Sequence, residues 1–475
     1  MGTRRNLWFV ALALLAVVAS ACGARVSEQQ VRSAGDGAPA EQAGGNADAG
    51  DAGSSSSVGA AGSASPGGTT PTTAADTAGT PTTAAGGGAS ASTGTPAGGN
   101  GGATDVGVTA TQIRLGNVST MSGPVPGLFQ GAVLGTQAFI AYQNSQGGIF
   151  GRKLELEFRD DQFDTGQNRA ATEDLGKKVF AFLGSFSLYD DAAVGALAKS
   201  NVPDLSVPLN ASRGALKTNF AVAPSDTRGA PTGPFLWFKA KYPDAVTKVG
   251  TLYGDVPSAK ISAQRFRAAA ESVGWKFAYE RGFQATETDF TADVVRMKSS
   301  GVKAVYLVST DDKTTARIAK AMAQQGFKPD FFTANYMPTM PALAGTAAEN
   351  LYSSSPFSLF GGEDVASNAE VKLFSDWYQR VKPGAKPDLF ALYGWAEGRL
   401  MVKAMQQVGP KLTRDALNAA LAKVDSFDAS GLIGDAGPGT KRPSICYVIA
   451  QVRGGKYQRV DPAKGYRCDG AYFRR

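Results

Sequence analysis

Residues 248–309 read KVGTLYGDVPSAKISAQRFRAAAESVGWKFAYERGFQATETDFTADVVRMKSSGVKAVYLVS, and their order decides the fold. A short apolar run at 248–253 precedes a stretch of helical spacing over 258–273. A second apolar run follows at 275–283, then another helical stretch at 289–299 and a third run at 303–309. Short apolar runs bounded by Gly, Pro or Asp read as strands, and the longer periodic stretches between them read as helices. Strand and helix in regular alternation predict parallel pairing with helical crossovers.

The same rhythm extends both ways. Downstream, a helix over 312–325 ends at Gly326 before a strand at 330–333. Upstream, a helix at 230–241 opens this series. An earlier series runs strand 113–119, helix 131–144, strand 153–159, helix 166–176, strand 179–184, helix 190–200 and strand 204–207. Lys153-Leu-Glu-Leu-Glu-Phe-Arg159 alternates apolar and polar, so it is a half-exposed strand. Two series in succession predict an α/β protein of two doubly wound lobes. Three further helices are expected at 367–380, 389–407 and 413–422, then short strands at 445–452 and 457–460.

Residues 33–104 cannot join this fold. Of these 72 residues, 63 are Ala, Gly, Ser, Thr or Pro, with one Val and no aromatic, Leu, Ile or Met. Such a segment buries too little apolar surface to offset its ordering entropy. It reads as a flexible tether, with Thr70-Pro-Thr-Thr-Ala-Ala75 repeated at Thr80–Ala85. The folded part is then 105–475, enough for two lobes.

Composition excludes several chemistries. The 475 residues contain no histidine, which removes His-based triads and His-ligated metal sites. Three cysteines cannot form a four-cysteine zinc or iron–sulfur site. Neither GxxxxGK[ST] nor a complete GxGxxG occurs, and there is no DxDxD calcium loop. No cofactor or metal is expected. Residues 105–475 carry 44 basic against 35 acidic side chains, but no Lys/Arg block, so a mixed solvated surface is expected and nucleic acid is not.

The N-terminus reads as an address. Arg4 and Arg5 precede 13 unbroken apolar residues, Leu7 to Ala19. That is short of the ~20 needed to span a bilayer but fits a signal-peptide core. Ala19-Ser20-Ala21-Cys22 resembles the bacterial lipobox, although Ala19 stands where Leu is commoner. The resemblance implies cleavage before Cys22, its lipidation and export, with an ordinary secretory signal as the alternative. Cys446 and Cys468 then remain as a pair, and in an exported chain they are expected to join.

In doubly wound sheets ligands bind beyond the carboxyl ends of strands. Those ends carry the loops 119–130, 184–190, 207–213, 253–259, 309–312 and 333–338. A cleft between two lobes is a favoured ligand site.

These loops and the strand ends beside them carry Ser119-Thr-Met-Ser-Gly-Pro124, Asn144-Ser-Gln-Gly-Gly-Ile149, Arg159-Asp-Asp161 and Leu183-Gly-Ser-Phe-Ser187. Val207-Pro-Leu-Asn-Ala-Ser212, Ala223-Pro-Ser-Asp226 and Asp289-Phe-Thr-Ala-Asp293 follow in order. With these motifs the chain resembles the Leu/Ile/Val-type periplasmic solute-binding proteins. The resemblance covers about 110–355 well and implies a type I clamshell with three interlobe crossings, serving the permease and ATPase of an ABC importer. It further implies a monomer at the cell membrane, closing by hinge motion around a small molecule.

The resemblance assigns the ligand-binding positions. Ser187, Leu188 and Tyr189 fall at the hydroxyl-bearing loop, and Leu209, Asn210, Ala211 and Ser212 at the loop of backbone N–H groups. Leu128 and Phe129 fall where an aromatic covers the ligand. Ser187 as a helix cap and Leu128 and Phe129 as ordinary packing stay open alternatives. In the second lobe the loops offer Ser258, Thr310, Asp311, Asp312, Asn335 and Tyr336. Amino-acid-binding members carry an acid against the ligand's ammonium, whereas the matching Asn335 is neutral. Asp311 or Asp312 is the alternative acid, or simply favours a helix start. The expected ligand is therefore an amino acid, an amide or another small carboxylate. Asp160-Asp161 and Asp190-Asp191 are read as a strand end and a helix start.

The expected divisions are signal 1–21, tether 22–104, first lobe 105–225, second lobe 226–355, first lobe again 356–432, and strands 433–475 returning to the second. A sensory ectodomain and an extracellular hydrolase using Ser with Lys or Asp are the competing functions. The missing histidine disfavours the hydrolase.

Overall fold

The computed structural model describes residues 96, 98–123, 126–224, 226, 228–284 and 286–475. The apolar run, Cys22 and the tether through 95 lie outside the described residues.

The first lobe is built on β1 (Gln112–Ser119), β2 (Lys153–Asp160), β3 (Ala181–Leu183) and β4 (Asp204–Leu205). They lie in the order β2-β1-β3-β4, all parallel. Helices α1 (Gln130–Ser145), α2 (Thr165–Gly176), α3 (Val194–Ser200) and the short α4 (Ala211–Gly214) join them, with a 3-10 turn at Asp190–Ala193. Asp164 caps α2 by accepting from Gln167 N at 2.8 Å.

The second lobe begins with β5 (Gly229–Pro231) and α5 (Gly233–Lys241). Then β6 (Val249–Gly254), α6 (Pro257–Ser272), β7 (Phe277–Phe283), α7 (Thr291–Ser299), β8 (Ala304–Leu307), α8 (Asp312–Gln324), β9 (Asp330–Thr333), α9 (Met340–Ala344) and β10 (Tyr352–Ser355) follow. The chain returns to the first lobe for α10 (Ala369–Val381), α11 (Leu389–Val408) and α12 (Arg414–Leu421). It crosses a third time to add β11 (Val448–Arg453), β12 (Lys456–Asp461) and β13 (Tyr472–Arg474). The second sheet has seven strands in the order β12-β11-β10-β9-β8-β6-β7. Its pairings are parallel except those of β11 with β10 and β12.

Three expectations are revised. The helix expected from 230 starts at Gly233, because Gly229–Pro231 pairs antiparallel with Tyr472–Arg474 at the far end of the chain. Tyr352-Ser-Ser-Ser355 is an interior strand that was not expected; no apolar alternation marks it, and burial between β9 and β11 defines it. The stretch expected to be tether through 104 is held from Asn100 onward. Arg152 is wholly buried and needs acceptors for its guanidinium. It donates to the carbonyls of Gly102 at 3.0 Å, Thr109 at 2.7 Å and Pro410 at 3.0 Å, and also to Asn100 O.

The return helices are packed tightly. A Cβ placed on Gly135 of α1 would lie 2.0 Å from Ala391 O of α11, so only glycine permits this approach. Trp395 of α11 is fully buried, meets Phe139 edge-on at 5.5 Å and donates to Glu370 Oε1 at 2.6 Å. Cys446 and Cys468 form the disulfide, as expected.

Candidate interlobe binding site

The loops that follow the strands of both sheets meet between the lobes. Leu209, Asn210 and Ala211, after β4, share a cavity of about 40 Å³ with Ser258, Ile261, Ser262 and Arg265 of α6. Four of the residues expected from sequence thus lie together, with contributions from both lobes. Helical periodicity explains the facing side: Ser258, Ile261, Ser262 and Arg265 recur at spacings of three and four residues, which places them on one face. A larger cavity of about 760 Å³ lies on another side of α6, against Glu280, Phe473 and Arg475. It is formed by the second lobe alone, so its size does not make it the cleft.

Asp190 organises the turn that carries Leu209 and Asn210. Its carboxylate accepts from Leu209 N at 2.7 Å, from Asn210 N at 3.1 Å and from Asn210 Nδ2 at 2.6 Å. Burial pushes this carboxyl above its ordinary range, against the opposing charge of Arg213. Beneath it, Arg213 grips Asp204 through two hydrogen bonds of 2.9 and 2.8 Å, both side chains being buried. Burial alone would raise Asp204, but Arg213 and the hydrogen bonds hold it below the usual carboxylate range. Asn219 completes the set at 2.9 Å from Asp204 Oδ2.

The other expected residues have internal roles in this structure. The buried Ser187 hydroxyl donates to Asp161 and accepts from Tyr189 N at 3.0 Å. Leu188 is half-buried, and its carbonyl accepts from Asn210 Nδ2 at 3.1 Å. The Tyr189 ring meets Phe163 edge-on at 5.3 Å. Phe129 is buried against Phe390 at 4.8 Å and Phe186 at 5.8 Å, with the half-buried Leu128 beside it in the core. Ser212 is exposed. Thr310 is buried, its hydroxyl 2.9 Å from that of Thr315. Asp311 caps α8, accepting from Thr314 N at 2.9 Å. Asp312 accepts from Lys313 N at 2.9 Å and from the Thr339 hydroxyl. Asn335 is half-buried and its carbonyl accepts from Thr333 Oγ1 at 2.8 Å. Tyr336 is buried, donates to Glu363 Oε2 at 2.6 Å and accepts from Gly361 N at 2.9 Å.

Three ionisable groups elsewhere in the structure are shifted by burial. Asp388 caps α11 by accepting from Ala391 N at 2.8 Å, and burial pushes it up to about 6, with Asp312 of the second lobe adding repulsion. Where the chain passes between lobes, Glu397 accepts from Val222 N at 3.0 Å and is raised well above its usual range by burial. Lys441 is pushed down to about 8 by burial. Among the described residues no cluster could hold a metal ion. No helix among them is long and apolar enough to cross a membrane.

Sequence reasoning missed Asp190 and Arg265 as parts of this site. Asp190 reads equally well as a helix start. Arg265 sits within a charged amphipathic helix, and its only sequence signal is its helical register with Ser258.

A family model described as periplasmic binding protein matches residues 112–456, and the chain belongs to that family. Its fold is the two-lobed clamshell of the type I members. A Leu/Ile/Val-binding protein homolog 2 of Brucella abortus is 24% identical over 367 residues, covering 74% of this chain and 93% of the relative. The branched-chain amino acid transporter substrate-binding protein of Streptococcus pneumoniae, solved with isoleucine, superposes with a TM-score of 0.61 at 21% identity. It covers 74% of this chain and is itself covered completely. A solute-binding protein from R. palustris, solved with benzoate, gives 0.60 at 18% identity, over 75% of this chain and 98% of its own.

Proposed function

We propose that this chain is the ligand-binding subunit of an ABC importer, held outside the cytoplasm by a lipid on Cys22. It binds a small amino acid, amide or carboxylate between its lobes and closes around it by hinge motion. The lobes divide as 105–225 with 356–432, and 226–355 with 433–475, so three crossings form the hinge. The observation that carries this reading is the cavity lined by Leu209–Ala211 from one lobe and by Ser258 to Arg265 from the other. At about 40 Å³ the cavity has room for a few water molecules and not for an amino acid, so ligand entry requires the lobes to part. The relatives solved with isoleucine and benzoate support a small ligand bearing a carboxylate.

Calorimetry with a panel of small amino acids, amides and carboxylates tests this. Ala211→Trp, which places a large ring between the lobes, is expected to abolish binding while leaving the unliganded melting temperature within about 1 °C. Binding of parent strength in that variant would remove the site from the cleft. Cys22→Ala is expected to move the protein from membranes to the soluble fraction; retention on membranes would refute lipid anchoring.

A further inference from the structure

Three aromatic rings of the second lobe surround the ammonium of one lysine. Lys241 ends α5 and places its Nζ 5.6 Å from the ring centre of Trp237 and 5.8 Å from those of Tyr242 and Tyr352. Trp237 lies one turn back on the helix and so shares a face with Lys241. Tyr242 follows α5 directly, and Tyr352 opens β10. The rings hold one another in place. Tyr352 meets Trp237 at 5.6 Å and Tyr242 at 5.8 Å, and the Tyr242 hydroxyl donates to that of Tyr352 at 2.9 Å. Phe238 backs Tyr242 at 5.0 Å and Tyr352 at 6.2 Å. Tyr352 is buried, Trp237 and Tyr242 are half-buried, and Lys241 is exposed. Among the described residues none accepts a hydrogen bond from the Lys241 ammonium or pairs with its charge. The chain runs from Tyr242 into the start of β6, so this cage stands at the starting ends of the strands, opposite the loops that meet in the cleft.

The chemistry of the cage suits a different guest better than the lysine. Ring faces attract a cation, most strongly the face of Trp. They offer no lone pairs to the N–H donors of a lysine ammonium, which is compact and strongly hydrated. Moving that ammonium between the rings strips water from donors that nothing there replaces. A quaternary ammonium carries the same charge with no N–H, and its methyl groups are apolar surface that the rings can cover. We propose that Trp237, Tyr242 and Tyr352 form a second binding site, separate from the interlobe cleft, for a quaternary ammonium group, and that Lys241 fills it until such a group displaces it. The exposed four-carbon stem of Lys241 lets its ammonium turn out into water, where its donors are satisfied. The locked pair of phenols keeps the cage in shape during the exchange.

The test titrates the full-length protein with tetramethylammonium and with choline at constant ionic strength, followed by ligand-observed NMR. Choline is expected to bind at least about 5-fold more tightly than 3,3-dimethylbutan-1-ol, which has its shape without the charge. Lys241→Ala removes the internal competitor from an exposed position, so it is expected to bind tetramethylammonium about 5-fold more tightly than the parent. Trp237→Leu keeps apolar volume but loses the ring face, and is expected to bind about 5-fold more weakly. Ala211→Trp, in the cleft, is expected to bind as the parent does. Glycerophosphocholine run beside choline separates the two sources of such a group: tighter binding of the former marks a lipid headgroup, and of the latter a free solute. Binding by Lys241→Ala no tighter than by the parent overturns the proposal, whether or not Trp237→Leu folds. So does equal binding of choline and its neutral analogue, or no saturable binding to Lys241→Ala at tens of millimolar. Loss of tetramethylammonium binding in Ala211→Trp would place the cation in the cleft and also overturn it.

Discussion

Replacing Arg213 by methionine should expose how the turn after β4 is held. Arg213 and Asp204 form a buried bidentate pair, and Asn219 supplies a further bond to the same carboxylate. Removing the cation leaves a buried carboxylate without its counter-charge, which costs about 3–5 kcal/mol. Over the 371 residues from 105 to 475, the unfolding entropy is about 0.8 kcal/mol per degree, so the melting temperature should fall by about 5 °C. The effect has a pH signature. In the parent, Asp204 is held below the ordinary carboxylate range, so its stabilisation is present above that range and is lost as pH falls through the folded value. In the variant, burial without Arg213 raises the same group, so stability is lost as pH rises from the unfolded value, about 4, to the raised folded value. The deficit between parent and variant is therefore largest near pH 7 and narrows toward pH 4. Urea unfolding at both pH values measures it. Asp204→Asn combined with Arg213→Met should recover at least half of the loss at pH 7, since no charge is left buried there. A single-variant loss below about 1 kcal/mol, or an equal loss at both pH values, refutes the reasoning.

Two further predictions concern stability. The Cys446–Cys468 bond closes a loop of separation 22, for which chain entropy gives about 3 kcal/mol. Cys446→Ser with Cys468→Ser should unfold in proportionately less urea, and an unchanged midpoint would contradict this. Asp388→Asn keeps an acceptor for the α11 cap but cannot ionise. Because Asp388 is raised to about 6, its contribution is present at low pH and lost as pH rises through about 6. The variant should therefore gain about 1–3 kcal/mol at pH 8 and almost nothing at pH 4; an equal gain at both would place the cause elsewhere.

Elements with local signals were legible in the sequence. The helix over Leu389–Val408 announces itself by length and by Asp388 at its start, and β6 by an apolar run before Gly254. Elements that exist only through distant partners were not. Tyr352–Ser355 is a strand because β11 arrives nearly a hundred residues later, and Gly229–Pro231 because the C-terminus lies beside it. At the site, the loops were legible because strand ends fix them, and Leu209, Asn210, Ala211 and Ser258 fell within them. What Asp190 binds was not, because a carboxylate that caps a neighbouring turn has the same local sequence as one that starts its own helix. Arg265 was missed for a similar reason: which face of a solvated helix meets the other lobe depends on how the lobes close.

The late arrival of β11 bears on synthesis as well as on the finished fold. Until residues 448–453 emerge, β10 presents an unpaired edge, and Gly229–Pro231 waits still longer for its partner at 472–474. An unfinished second lobe therefore carries open strand edges of the kind that recruit other chains. A nascent polypeptide that stalls or is clipped between Ser355 and Val448 is left in that state. Such a molecule would present a complete first sheet beside a second one that is still adhesive, so the closing strands protect the second lobe as well as complete it.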